Sequence, residues 1–163
     1  MNVKDAINHE LGMSEHLVNR YLADLSDADL LLRPVDGMNH IAWQLGHLIA
    51  SERSFVESVR PGSSPALPEG FAENHNKEAS KSNDSSKFLS KAEYLRLMKA
   101  QRDATRRVLD GMSDTDLDAP APERWKTMWP TVGLVLSMAG SHVLMHVGQW
   151  VAVRRKLGKP VTV

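Results

Sequence analysis

The sequence predicts an all-α fold: a four-helix bundle running up, down, down, up, with a long crossover between the second and third helices. Three observations predict it. Apolar residues recur at spacings of three and four in four separate segments, the signature of a helix with one buried face. No segment shows the strict alternation of a half-buried strand. The links within the first and second halves of the chain are short, whereas the stretch 60–89 can span a helix of about 30 Å and return the chain parallel. At 163 residues the whole chain, 1–163, reads as one domain with a continuous core.

The first helix runs from Val3 to about Leu25, with Val3, Ile7, Leu11, Val18, Tyr21, Leu22 and Leu25 on its stripe. His9 and His16 lie almost opposite and read as surface residues. Leu25-Ser26-Asp27-Ala28-Asp29-Leu30 is a short capped turn of helix, broken by Arg33-Pro34-Val35-Asp36-Gly37. Asn39 is the expected N-cap of a second helix that reaches Val59 and ends at Pro61-Gly62. Its stripe is Ile41, Leu45, Leu48, Ile49, Phe55, Val56 and Val59. His47 stands at the edge of that stripe with Gln44 and Ser51 beside it, suited either to a seam between helices or to an ordinary boundary position. Glu52 falls inside the stripe. A buried carboxylate must be paired or protonated, and an ion pair with Arg154 or Arg155 is the expected partner, with a role at a site as the alternative.

The stretch 60–89 is rich in Ser, Pro, Asn, Gly and Lys, the composition of a lid, a crossover or a mobile loop. His75 within it reads as a solvated loop residue. Ser90-Lys91-Ala92-Glu93 fits a capping box and opens a third helix, with Tyr94, Leu97, Met98, Val108 and Met112 as its stripe. Gln101 and Thr105 interrupt that stripe, and are expected to pair with each other or to line a pocket. Gly111 ends the helix. Met112-Ser113-Asp114-Thr115-Asp116-Leu117 then echoes Leu25 to Leu30, suggesting two helical hairpins in rough pseudo-symmetry, first helix with second and third with fourth. The Pro-rich stretch 119–130 carries Trp125 and Trp129, which either cover the end of a core or wall a pocket.

The fourth helix runs from about Thr131 to Leu157 and carries His142 and His146 four residues apart. At about 3.6 residues per turn, that spacing stacks both imidazoles on one face, with Gln149 on the same stripe. Val135, Met138, Ala139 and Val153 share that side, so the imidazoles point inward. A buried neutral imidazole needs a partner for both ring nitrogens. A metal ion with a second acceptor behind the ring supplies one arrangement, and a backbone carbonyl or neighbouring side chain supplies the other.

Composition narrows the chemistry. Lys plus Arg and Asp plus Glu are both 20, so no basic surface argues for nucleic acid or an anionic membrane. With no cysteine, any metal must be held by His, carboxylate or carbonyl groups. The N-terminal residues lack the apolar core of a signal peptide, and no apolar run reaches membrane-spanning length. The expected location is the cytoplasm.

Trp43-Gln44-Leu45-Gly46-His47-Leu48, His142-Val143-Leu144-Met145-His146-Val147-Gly148-Gln149 and Arg154-Arg155-Lys156-Leu157-Gly158-Lys159-Pro160 together resemble the DinB-like (YfiT-like) metalloenzymes of the DinB superfamily. The resemblance implies an up-down-down-up bundle, often a homodimer, with a divalent ion on three histidines that correspond here to His47, His142 and His146. Zinc or nickel is the first expectation for the ion, with iron or copper as alternatives. Some members of the family are similar to transferases or isomerases that act with a low-molecular-weight thiol. The leading functional reading is therefore a metal-dependent enzyme that activates a small thiol or water, with Gln149 as a candidate substrate contact. The alternative is a non-catalytic or stress-related module with a structural or sensing metal.

Overall fold

The computed structural model describes residues 2–161. Among them are seven α-helices, four of them long, and no strand; Pro120 and Thr131 form an isolated bridge. Helix α1 spans Val3–Leu22, α2 Asp27–Leu30, α3 Ile41–Val59, α4 Phe71–Asn74, α5 Lys91–Asp110, α6 Asp114–Asp118 and α7 Val132–Lys156.

Helix α1 starts at a capping box between Asn2 and Asp5 and stops three residues short of Leu25, which is still buried. The two echoing sequence segments become α2 and α6. Each is capped the same way, Ser26 with Asp29 and Ser113 with Asp116, and each plants a buried leucine, Leu30 or Leu117, in the core. The reciprocal Ser/Asp bonds satisfy two otherwise orphaned amides, which is what lets helices this short persist.

The N-cap of α3 is His40, one residue later than expected. Its Nδ1 accepts from the Trp43 amide at 3.1 Å, so its Nε2 carries the proton and donates to the Ser82 carbonyl at 3.2 Å. The ring nitrogen takes the part that an Asn oxygen plays in an ordinary cap. Asn39 instead presents its carbonyl to Gln44 Nε2 at 2.7 Å. At α5 only half of the expected box forms: Ser90 accepts from the Glu93 amide, while the Glu93 carboxylate pairs with Arg96.

The stretch 60–89 is an ordered crossover, holding α4 and two 3-10 turns, Ala79–Lys81 and Ser85–Lys87. Arg33 binds its Ser80 and Ser82 carbonyls and Asn83 Oδ1. His75 is therefore no solvated residue. It is 3 % exposed, with Nδ1 2.7 Å from the Phe71 carbonyl and Nε2 2.8 Å from the Tyr94 hydroxyl. Its ring lies where a side chain on Gly46 would be: a Cβ there would stand 2.0 Å from His75 Cδ2.

The most extensive helix packing joins α1 to α7 and α3 to both α5 and α7. The hairpin partners expected from sequence, first helix with second (α1 with α3) and third with fourth (α5 with α7), are not among the pairs that pack extensively on each other. Small residues on α7 admit α1. A Cβ at Gly140 would stand 2.7 Å from Glu10 Cγ, and Ser137 and Ser141 both donate to the Glu10 carboxylate, so α1 settles closely on α7.

At the centre of the bundle Glu52 pairs with Arg102 of α5, not with Arg154 or Arg155. Arg102 Nε and Nη2 lie 2.9 and 3.0 Å from the two Glu52 oxygens. Nη1 binds the Leu11 carbonyl and Ser14 Oγ, and Nη2 also binds the Ala139 carbonyl. All five guanidinium protons are thus used, and one residue ties α1, α3, α5 and α7 together. Arg154 turns instead to Asp24 and the Tyr21 carbonyl. Thr105 donates to Glu52 at 2.6 Å, and Gln101 Nε2 reaches Ser64 Oγ, so the side chains of Gln101 and Thr105 do not pair with each other as expected. The buried Glu52 charge draws the Thr105 hydroxyl away.

A candidate metal centre of three histidines

Helix α3 contributes His47 from its first half, and α7 contributes His142 and His146. One ring nitrogen from each lies within 4.8 Å of the others. The Nε2 atoms of His142 and His146 are 3.2 Å apart, and the His47 ring centroid stands 5.1 and 5.4 Å from theirs. All three are half-buried. Burial lowers the pKa of each, His142 to about 4 and His146 to about 3, with the neighbouring imidazoles adding to the effect on both, and His47 in the same direction. At neutral pH the cluster is uncharged and offers lone pairs.

Gln44 decides which lone pair His146 offers. The amide is oriented by its Nε2 donating to the Asn39 carbonyl, so its Oε1 is the acceptor for Trp150 Nε1 at 2.9 Å. His146 Nδ1, 2.8 Å from the same oxygen, must then carry the proton, and Nε2 is left bare towards His142 and His47. Trp43 stacks flat on His47, centroids 4.8 Å apart and planes 8° from parallel. Its own indole is held by the Asn76 carbonyl at 2.9 Å, so the crossover helps set the His47 ring.

Gln44 and Trp43 are the residues whose part is not legible in the sequence. Their spacing before His47 put Gln44 beside it, but only the packing of α3 on α7 brings Gln44 to a residue 102 positions away. Gln149 is exposed, and it is Gln44 whose amide reaches an imidazole. His9 and His16 are exposed and His40 and His75 are buried elsewhere. Phe55 stands edge-on to His142 at 6.4 Å, covered in turn by Trp125 and Trp129.

A model of the DinB superfamily matches residues 10–150. The chain belongs to the DinB superfamily. No curated protein and no solved structure matches it. The match takes in the three histidines of this DinB-superfamily chain together with Gln44 and Trp150. The donor set itself fits a transition metal: three neutral imidazoles from two helices, one with its tautomer fixed from behind and one braced by an indole.

Proposed function

We propose that His47, His142 and His146 hold a divalent transition metal, zinc or nickel before iron or copper, in an enzyme that activates a small thiol or water. The observation that carries this reading is the bare His146 Nε2, deprotonated through Gln44, aimed at two further neutral imidazoles. A divalent ion on three imidazoles keeps further coordination positions open, and lowers the pKa of a thiol or water that takes one of them.

The protein's own groups favour a thiol over hydrolysis. A hydrolase of the usual kind needs a free base near the reacting water. Both carboxylates of α3 are committed, Glu52 to Arg102 and Glu57 to the Gly62 and Ser64 amides, and α7 contains neither Asp nor Glu. A thiol that ionises at neutral pH needs no such base.

The up-down-down-up course is part of the same reading. Its support is the run of contacts along the helices: α7 meets Glu10 near Ser137 and Ser141 but Tyr21 at Arg154, parallel to α1; α3 runs against α7, with Gln44 at His146 and Trp150 but Phe55 at His142; and α5 runs against α1, with Lys91 at Leu22 and Asp110 at Lys4. We further read the protein as a cytoplasmic homodimer with a small-molecule partner and no nucleic-acid or membrane partner. Support comes from the balanced charge, from the family, and from there being no described helix long and apolar enough to cross a membrane.

Elemental analysis of protein purified without added metal or chelator tests the site. About one equivalent of a transition metal in the parent protein, lost in His142→Ala while helical circular dichroism persists, supports it. Full occupancy in that variant rejects the ligand set. A large drop in melting temperature on chelation with no open coordination position would favour the non-catalytic module instead.

A further inference from the structure

We propose that the cleft between α3 and the crossover binds a small monocarboxylate with an apolar tail, its carboxylate on Arg53 and Ser54 and its tail against Leu67 and Phe71. The site is separate from the three imidazoles and does not depend on a metal.

The cleft, of about 470 Å³, has the size of a small-molecule site. One wall is a face of α3 carrying Ala50, Arg53 and Ser54, and the other is the crossover, carrying Leu67, Phe71 and Ala72. Ala50 and Ser54 come one and two helical turns after His47, roughly 4.5 and 10 Å further along the axis. None of the three imidazoles lines the cleft, so an occupant lies beside the candidate metal centre and outside it.

Both walls are fixed. Glu57 accepts from the Gly62 and Ser64 amides at 2.8 and 2.7 Å, which clamps the start of the crossover to α3. Further on, the His75 ring fills the space over Gly46 and stands 4.4 Å from the Phe71 ring, between centroids. The Phe71 amide donates to the Pro68 carbonyl at 3.1 Å. A cleft already formed loses little freedom when it is occupied.

Charge decides the occupant. Among the described residues, Arg53 is the only partly or fully buried arginine with neither an ion pair nor a side-chain hydrogen bond. Arg33 binds the carbonyls of the crossover, and Arg102, Arg106 and Arg154 each bind a carboxylate. Glu57 attracts Arg53 through space, yet both of its oxygens are taken by backbone amides. The Arg53 donors are therefore left to water or to an anion, and a carboxylate matches their fork. Ser54, the next residue on the same wall, also has a hydroxyl without a partner among the described residues. The remaining wall is mostly apolar, which suits a tail. Glu73, exposed on the crossover side of the cleft, disfavours a second negative charge on the ligand.

The test compares 4-phenylbutyrate with 4-phenylbutanol and 4-phenylbutylamine by calorimetry, and locates them by NMR of alanine methyl groups. Ala50 and Ala72 report this cleft, whereas Ala104, Ala92 and Ala6 report three others. The acid is expected to shift Ala50 and Ala72, and to bind roughly tenfold or more tightly than the alcohol. Arg53→Gln should remove that advantage while leaving the affinity for the alcohol unchanged, which shows that the cleft itself persists. Arg53→Lys should fall between the two, keeping the charge and losing the fork. Equal affinity for acid and alcohol, tighter binding of the amine, shifts confined to Ala104, Ala92 or Ala6, undiminished acid binding by Arg53→Gln, or no binding at millimolar concentration would each overturn the proposal. His142→Ala should bind the acid as the parent does. Loss of binding in that variant, or on chelation, would assign the carboxylate to the metal and reject the cleft, so the two sites fail separately.

Discussion

Gln44 on α3 and His146 on α7 share a hydrogen bond of 2.8 Å in which the glutamine oxygen, already accepting from Trp150, compels the imidazole to donate. The amide is a tautomer lock. It converts a half-buried histidine into a ligand of defined direction, and the same oxygen ties α7 to α3 at two successive turns.

Gln44→Leu removes the lock at similar volume. Metal affinity should fall about 10- to 100-fold, the usual cost of losing a partner behind a ligating histidine, when measured by competition with a chromophoric chelator. Nitrogen shifts of His146 in metal-free parent protein should report the Nδ1-protonated tautomer. Unchanged affinity in Gln44→Leu would remove the glutamine from the account of the site.

Glu52→Leu should destabilise the protein by about 3–5 kcal/mol, because it leaves the Arg102 guanidinium buried without its counter-charge. The double variant Glu52→Leu with Arg102→Met should recover much of that loss. Urea unfolding measures both. A single-variant loss below about 1 kcal/mol would mean that water replaces the carboxylate.

Gly46→Ala places a methyl group inside the His75 ring, and should loosen the crossover from α3. His75→Ala vacates the same space. The two changes together should therefore cost less than the sum of their separate effects, with a coupling of about 0.5–3 kcal/mol. Additive losses would show that the ring moves aside freely.

Acid should destabilise the metal-free protein. His40 and His142 have pKa values lowered to about 4 and His146 to about 3, with His47 and His75 shifted the same way, each chiefly by burial. Below the unfolded value of about 6.5 the unfolded chain binds more protons, so stability falls as pH drops from about 6.5 and stops falling once the folded imidazoles themselves take up protons near pH 3–4. The melting temperature of chelated protein should decline across that window, and less steeply in His142→Gln with His146→Gln. A flat profile would show that these imidazoles stay accessible to protons in the folded state.

Periodicity made the four long helices and most of their ends legible. It also put His47 at the edge of its stripe, suited to a seam or to an ordinary boundary position, and His142 and His146 on one inward face, because helical spacing depends on neighbours in the chain. His75 escaped for the opposite reason. It lies in a polar, Pro-containing segment whose composition resembles solvated loops, and the cavity that accepts it is created by the missing side chain of Gly46 on another element. Glu52 was recognisable as needing a partner, but periodicity alone does not rank the arginines of different helices, and Arg102 lies on the helix that packs against it.

By itself, then, the sequence determined which residues share a helix face: the apolar stripes, the Ser/Asp caps of α2 and α6, and the histidine pair of α7. These follow from interactions within a few residues of each other. The tertiary structure decided what faces what: Gln44 behind His146, Trp43 flat on His47, Arg102 at the centre of four helices, and Trp125 and Trp129 over Phe55. Those meetings depend on how closely helices approach, and here the approach of α1 to α7 is set by Gly140 and its flanking serines, through contacts more than 120 residues apart in the chain.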